Sequence, residues 1–264
     1  MRAAVASPRR LGRPPAVRRV PTTSTLASTV TAPVERAAAA TAAGVFGAVA
    51  ALRRDKPIHP RGVVVHGVLT RHGAPEPWGS PWLDEPGEDR CLVRLSRSAG
   101  LPGPLPDVGG LAIRFVRAGG DPADLLLATT GTAPVTRHLL VPRRHASRAY
   151  TSMVPYTSPR GPVMLAALPE GPRPGLSLEE EEIAAAVTRQ PLCFILAAAA
   201  PRGRWQPYGR LEVSGPAAET VDAAVDFDPV VYPLPGLRLP GALARVRAAA
   251  YAGARRSTGR TLDA

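Results

Sequence analysis

From Gly62 onward the chain alternates apolar and polar residues in short runs cut by Gly, Pro and Asp. A period of two marks a strand with one buried face. On this basis Gly62–Arg71, Arg90–Arg97, Leu111–Arg117, Leu125–Thr129 and His138–Val141 are predicted as strands. Val163–Leu168 and Leu192–Ala199 are nearly continuous apolar runs of strand length, and Arg210–Val213 is a further strand; Val221–Phe227 is placed as a segment that pairs with the sheet or closes over its core. Helical patterning is confined to three places. Pro33–Leu52 is Ala-rich. Ser177–Thr188 opens on a capping serine and the acidic run Glu179–Glu182, which suits the positive end of a helix dipole and is read as a helix start, not a metal site. A final helix begins at Pro240, a residue that fits a first turn, and runs to about Arg256. Many short strands ahead of terminal helical material specify an α+β chain: an antiparallel β-barrel with flanking and C-terminal helices, not a parallel βαβ sheet.

Length and charge refine this picture. The 264 residues suffice to bury one sizeable core. Residues 1–33, rich in Arg, Pro, Ser and Thr, are expected to form a basic, disordered tail, leaving 34–264 as one domain. The net charge of +12 is uneven: residues 1–36 hold seven Arg against one acid, Glu35, so +6 of it lies at the N-terminus. Lys56 is the only Lys and Asn is absent, a bias that, with abundant Ala, Pro and Gly, reflects GC-rich coding. Aromatics do not interleave with the basic runs, so no nucleic-acid partner is expected. No stretch reaches the ~18 uninterrupted apolar residues of a membrane span, and the N-terminus lacks the compact apolar region and cleavage site of a signal peptide. Cys91 and Cys193, far apart in apolar runs, are read as buried free thiols in a reducing, cytoplasmic setting. His66, His72, His138 and His145 have no spacing that forms a metal site.

Candidate chemistry begins at the C-terminus. Arg247 and Tyr251 are four residues apart and share one helix face. A guanidinium beside a phenol favours the phenolate, a hard anionic ligand suited to ferric iron. Four segments precede or include this pair: Ile58-His59-Pro60-Arg61-Gly62; Val93-Arg94-Leu95-Ser96 with Asp107-Val108-Gly109-Gly110-Leu111-Ala112-Ile113-Arg114-Phe115; Tyr150-Thr151-Ser152-Met153-Val154-Pro155-Tyr156; and Phe227-Asp228-Pro229 with Pro235-Gly236-Leu237. In this order and spacing they resemble the catalases, whose haem ligand is a tyrosine. The likeness is greatest to the short catalase-related haem proteins without N-terminal arms or C-terminal extensions, and it covers about residues 55–258.

The resemblance implies haem b as cofactor, Tyr251 as iron ligand and Arg247 as its partner. It makes His59 the base that moves a proton between the two peroxide oxygens, and Ser96 the hydroxyl that fixes the imidazole tautomer. Arg94 and Lys56 become the cations for haem propionates, with Lys56 standing where the family carries Arg. Lacking the arms that intertwine full-length catalase tetramers, the chain is expected to form a smaller assembly such as a homodimer.

The departures are as informative. The Asn that catalases hold over the haem falls within Asp124–Thr130, where only the hydroxyls of Thr129 and Thr130 stand in. Val63–Val65 and Val68 replace the haem-stacking aromatic, Ala249 and Gly253 replace Phe and Asp of the ligand motif, and the final propionate Arg falls at Thr258. These changes leave a larger, less polar distal pocket and argue against fast hydrogen peroxide dismutation. A peroxidase acting on hydrogen peroxide or on organic and fatty-acid hydroperoxides is the leading expectation. A catalase-fold barrel that binds haem or lipid with little turnover is the alternative, and a basic protein associated with nucleic acid or membrane ranks third.

Overall fold

The computed structural model describes residues 61–97, 105–116, 120–171, 176–218 and 225–240. Among them are nine antiparallel strands: β1 (Arg61–Arg71), β2 (Gly87–Arg97), β3 (Gly109–Val116), β4 (Ala123–Thr129), β5 (Tyr150–Thr151), β6 (Tyr156–Ser158), β7 (Gly161–Pro169), β8 (Leu192–Ala199) and β9 (Gln206–Pro216). Two helices accompany them, α1 (Pro81–Asp84) and α2 (Glu180–Arg189). β1 pairs with both β2 and β9, and β5 joins β4 to β7, so eight strands close into a ring while β6 adds a hairpin to β7. Closure removes the sheet edges that an open array would expose. Register slips between Val65 and His66 and between Leu196 and Ala197 bend β1 and β8 at the seam with β9.

The predicted alternation sorts residues to the two faces of this wall. Val65, Leu69, Val93, Leu95, Leu111, Ile113, Phe115, Leu125 and Leu127 point inward and are buried, meeting Leu165, Phe194, Leu196, Leu211 and Val213 from the far wall in one continuous core. Burying each such side chain contributes ~1.5–3 kcal/mol. One end of the barrel is stoppered by α1. Its Trp82 meets Phe115 edge-on at 4.5 Å and Tyr208 at 6.0 Å. Asp84 fixes the turn before α1 by accepting the N–H groups of Trp78, Gly79 and Ser80 at 2.7–3.0 Å. The other end is closed by Leu178 and by Ile183 and Val187 of α2, which packs on β9 and β1.

Several elements differ from the sequence reading. His138–Val141 is not a strand: Thr136–His138 is a 3-10 turn and only Leu140 makes an isolated bridge, to Thr130. Pro134 and Pro142 bracket the segment, and proline cannot extend a ladder. The helix placed at Ser177–Thr188 begins at Glu180, because the Ser177 hydroxyl accepts the Glu179 N–H ahead of the first turn. Glu180–Glu182 form that first turn. Of Val221–Phe227, the described part, residues 225–227, is not a strand. Cys91 is buried inside the barrel, whereas Cys193 is only partly buried; both are free thiols. Desolvation pushes the Cys91 thiol far above its ordinary range. The tail at 1–33, the helix at Pro33–Leu52 and the final helix beyond its first residue, Pro240, lie outside the described residues.

Candidate functional site

The strand register assembles a flat patch on the outer wall of β1–β4. Gly62 faces Ser96, Ser96 faces Gly110, and Gly110 faces Ala128 across four consecutive strands. The next outward row is Val64, Arg94, Ala112 and Leu126. Four strands at ~4.8 Å spacing make a face about 14 Å wide, on which the first row rises no higher than a hydroxymethyl group. Val64, Ser96 and Gly110 are buried, and Gly62, Arg94, Ala112, Leu126 and Ala128 are half-buried. Glycine is required at 62, where a β-carbon would lie 2.8 Å from each of Arg94 Cζ, Ser96 Cβ and the Leu95 carbonyl oxygen. The Arg94 guanidinium and the Ser96 side chain thus converge on Gly62 from the neighbouring strand.

Beside this face a clasp holds the chain that leads to the C-terminus. Arg114, one step along the outer side of β3, grips Asp124 of β4 through Nε at 2.8 Å and a terminal nitrogen at 2.7 Å. Asp124 is fully buried and also accepts the Asp228 N–H at 2.6 Å. Arg114 donates to the Asp226 carbonyl at 2.6 Å and stacks over Tyr232 at 4.6 Å and Phe227 at 5.5 Å. Its bonds to Asp124 raise its pKa further, against the opposing effect of burial. Phe227-Asp228-Pro229 is therefore fixed to the outer wall. The chain then crosses the α1 end, where Ser80 donates to the Pro235 carbonyl at 2.7 Å and Leu237 enters the core.

Of the six site residues read from the sequence, Arg94 and Ser96 are described and share one face of β2. His59 and Lys56 precede β1 and, like Arg247 and Tyr251, lie outside the described residues. The neighbours of Arg94 separate cleanly: Arg90 is exposed on the outer face, whereas Arg97 turns inward and is buried. The two threonines do not replace the missing amide. Thr129 points into the barrel, accepting from the Gly109 N–H at 3.0 Å and donating to the Val141 carbonyl at 2.9 Å. Thr130 Oγ1 is held by the Gly131 carbonyl at 2.8 Å and by Thr151 Oγ1 at 2.9 Å. A hydroxyl has one hydrogen to give, and these are committed within the fold. The residue that faces outward in the first row of β4 is Ala128, a bare methyl. Sequence reasoning missed the Arg114–Asp124 clasp and the Gly62–Ala128 row, both of which appear only once the register is known.

On the described part of this face the first row is built of small side chains, Val64 and Leu126 flank it, and the Arg94 guanidinium lies against Gly62. Among the described residues no group of His, Cys, Asp and Glu is placed to hold a metal ion. No helix among them is long and apolar enough to cross a membrane.

Comparisons with known proteins agree with this architecture. No family model and no curated protein matches the sequence. Among solved structures the chain is similar to a fungal catalase, with a TM-score of 0.55 and 10% sequence identity over 77% of this chain and 59% of that chain. The chain thus spans about three fifths of the catalase it matches. Identity this low speaks for the fold alone. The class is therefore the catalase-like barrel: an antiparallel, eight-stranded β-barrel with few helices, in an α+β chain.

Proposed function

We propose that this chain binds haem b against the outer face of β1–β4 and cleaves the O–O bond of hydrogen peroxide or of an organic or fatty-acid hydroperoxide. The observation that carries the reading is the low row Gly62, Ser96, Gly110 and Ala128, flanked by Arg94, on the wall of a catalase-like barrel. Haem, when bound, would supply the two electrons that heterolysis of the O–O bond consumes, and a second hydrogen peroxide or an organic reductant would return them. His59 takes the proton from one peroxide oxygen and returns it to the other, which leaves as water or alcohol. Ser96 holds the imidazole in the tautomer that this transfer needs. Tyr251, kept anionic by Arg247, would be the iron ligand, and Arg94 and Lys56 would hold the propionates.

The same face limits the rate. Loss of one positioned donor over a reacting oxygen costs roughly a hundredfold or more, and Ala128, Thr129 and Thr130 provide none. That observation also favours a second reading, a haem- or lipid-binding barrel of this fold with little or no turnover. Haem-loaded full-length protein, assayed with hydrogen peroxide and with cumene hydroperoxide in the presence of a reducing phenol, separates the two. Turnover that disappears in His59→Ala while the haem is retained supports the enzyme; unchanged turnover in that variant removes His59 from the mechanism. Retained haem with neither substrate consumed supports the binding barrel.

A further inference from the structure

The connection between β4 and β5 carries an apolar surface that the haem reading does not use. Val135 is 74% and Leu139 49% exposed, and Thr132, Ala133, Pro134 and Thr136 beside them are exposed as well. A single exposed valine or leucine means little, since apolar side chains are scattered over most protein surfaces. Here the two flank the Thr136–His138 turn, whose one arginine, Arg137, is turned inward and buried. From Gly131 to Pro142 the chain therefore presents neither a guanidinium nor a carboxylate to water.

This surface is held rigidly. The Gly131 N–H reaches the Thr136 carbonyl at 3.1 Å, and a β-carbon on Gly131 would collide with the Thr136 side chain. The Arg137 and Leu139 N–H groups are bound by the carbonyls of Ala133 at 2.9 Å and Thr136 at 3.0 Å. The Arg137 guanidinium donates to the carbonyls of Thr132, Gly203 and Ala200 at 3.2, 3.0 and 3.1 Å. A surface fixed in this way loses little freedom on binding, so little of the contact energy goes into ordering it. The same bonds bring in the β8–β9 connection. Gly203 lies between Arg202 and Arg204, which are exposed and make no ion pair among the described residues. The Trp205 indole N–H ties this connection to the Thr132 carbonyl at 2.9 Å. No Asp or Glu occurs between Asp124 and Glu170, or between Glu182 and Glu212, so neither connection supplies a carboxylate to neutralise these arginines.

We infer that this surface docks a segment of a partner protein whose apolar side chains cover Val135 and Leu139 and whose flanking carboxylates meet Arg202 and Arg204. An apolar centre beside unpaired guanidinium groups is the arrangement of a specific protein interface, and its charge selects an acidic partner. Three other occupants fit less well. A second copy of this surface would set arginines against arginines. A bilayer would receive only two short aliphatic side chains, less hydrocarbon than the single acyl chain that by itself gives marginal membrane binding. Nucleic acid stacks on open aromatic faces, whereas the Trp205 ring already carries the Arg137 guanidinium at 4.3 Å. The inference rests on these two connections and not on haem, so docking is expected whether or not haem is present.

Fluorescence anisotropy of the full chain with a labelled helical peptide of about 20 residues, Leu on one face and Glu on the other, tests it. Saturable binding is expected. Val135→Asp and the double variant Arg202→Glu/Arg204→Glu, all at exposed positions that leave the core intact, should each weaken it about tenfold or more. The same peptide with Ala in place of Leu should bind far more weakly. An Ala peptide that binds as well as the Leu peptide would reduce the effect to bare attraction toward a chain of net charge +12 and overturn the assignment. Binding left unchanged in both variants, or no saturable binding, would overturn it too. Co-sedimentation with phosphatidylglycerol vesicles that Val135→Asp abolishes would assign the surface to a membrane instead, and self-association by light scattering that the same change abolishes would assign it to a second copy.

Discussion

Replacing Asp124 by Ala is the most severe single test of how the outer wall is held. Asp124 is fully buried and accepts three hydrogen bonds, two from the Arg114 guanidinium and one from the Asp228 N–H. Alanine removes all three and leaves a largely buried arginine, its side chain 15% exposed, without its counter-ion. Breaking a buried pair from one side costs ~3–5 kcal/mol. In a domain of this size each kcal/mol lowers Tm by ~2–4 °C, so Tm should fall by ~6–20 °C. Asp124→Asn keeps the volume and an acceptor, and should lose clearly less. The double variant Arg114→Met/Asp124→Leu should recover much of the Ala loss, because apolar residues of similar volume often replace a buried pair at little cost. Thermal unfolding followed by circular dichroism reads all four proteins. An Asp124→Ala loss below ~1 kcal/mol would place the pair in the class of surface salt bridges and refute the clasp.

Three further outcomes follow from individual contacts. Tyr150 donates to the Ala146 carbonyl at 2.8 Å, whereas the equally buried Tyr208 hydroxyl meets no acceptor among the described residues. Denaturant titration should therefore show Tyr150→Phe losing ~1 kcal/mol and Tyr208→Phe losing none or gaining stability; the reverse order would contradict the assignment. Burial raises the pKa of the Cys91 thiol and of the Tyr150 and Tyr208 phenols, so their folded forms stay protonated where the unfolded chain ionises. Their contribution is complete below the unfolded values and is lost as pH rises, by ~1.4 kcal/mol per pH unit for Cys91 above ~8.5 and as much again for each tyrosine above ~10. Urea unfolding from pH 8 to 11 should show this slope, with the part starting near 8.5 absent in Cys91→Ala; a flat profile would contradict it. Ala128→Trp should leave Tm within a few degrees yet block haem uptake by filling the first row of the outer face; unchanged uptake would move the haem elsewhere.

The strands that alternate strongly were legible because one face of each is buried against a single core. β1 to β4 and β7 to β9 all overlap runs read from period two or from continuous apolar character. β5 and β6 were not, since two and three residues carry no period and β5 is fixed by distant partners, Ala128–Thr129 on one side and Ala166–Ala167 on the other. The 3-10 turn at Thr136–His138 is decided by tertiary contacts: Arg137 donates to the carbonyls of Thr132, Ala200 and Gly203 and lies 4.3 Å over Trp205. At the site, a short motif pointed to Arg94 and Ser96. The glycine and alanine that complete their row carry no chemistry of their own and become meaningful only through cross-strand register. Thr129 and Thr130 looked equivalent in the sequence, but the strand turns one inward and the hydrogen bonds of the loop occupy the other.

Haem binding through Tyr251 is best read from the absorption spectrum of the full-length protein produced with added haem precursor. A stoichiometric Soret band with the charge-transfer bands of tyrosinate-ligated ferric haem, lost in Tyr251→Phe, is expected. Protein that emerges without haem and also rejects added haemin would contradict it, leaving the catalase likeness as one of fold only.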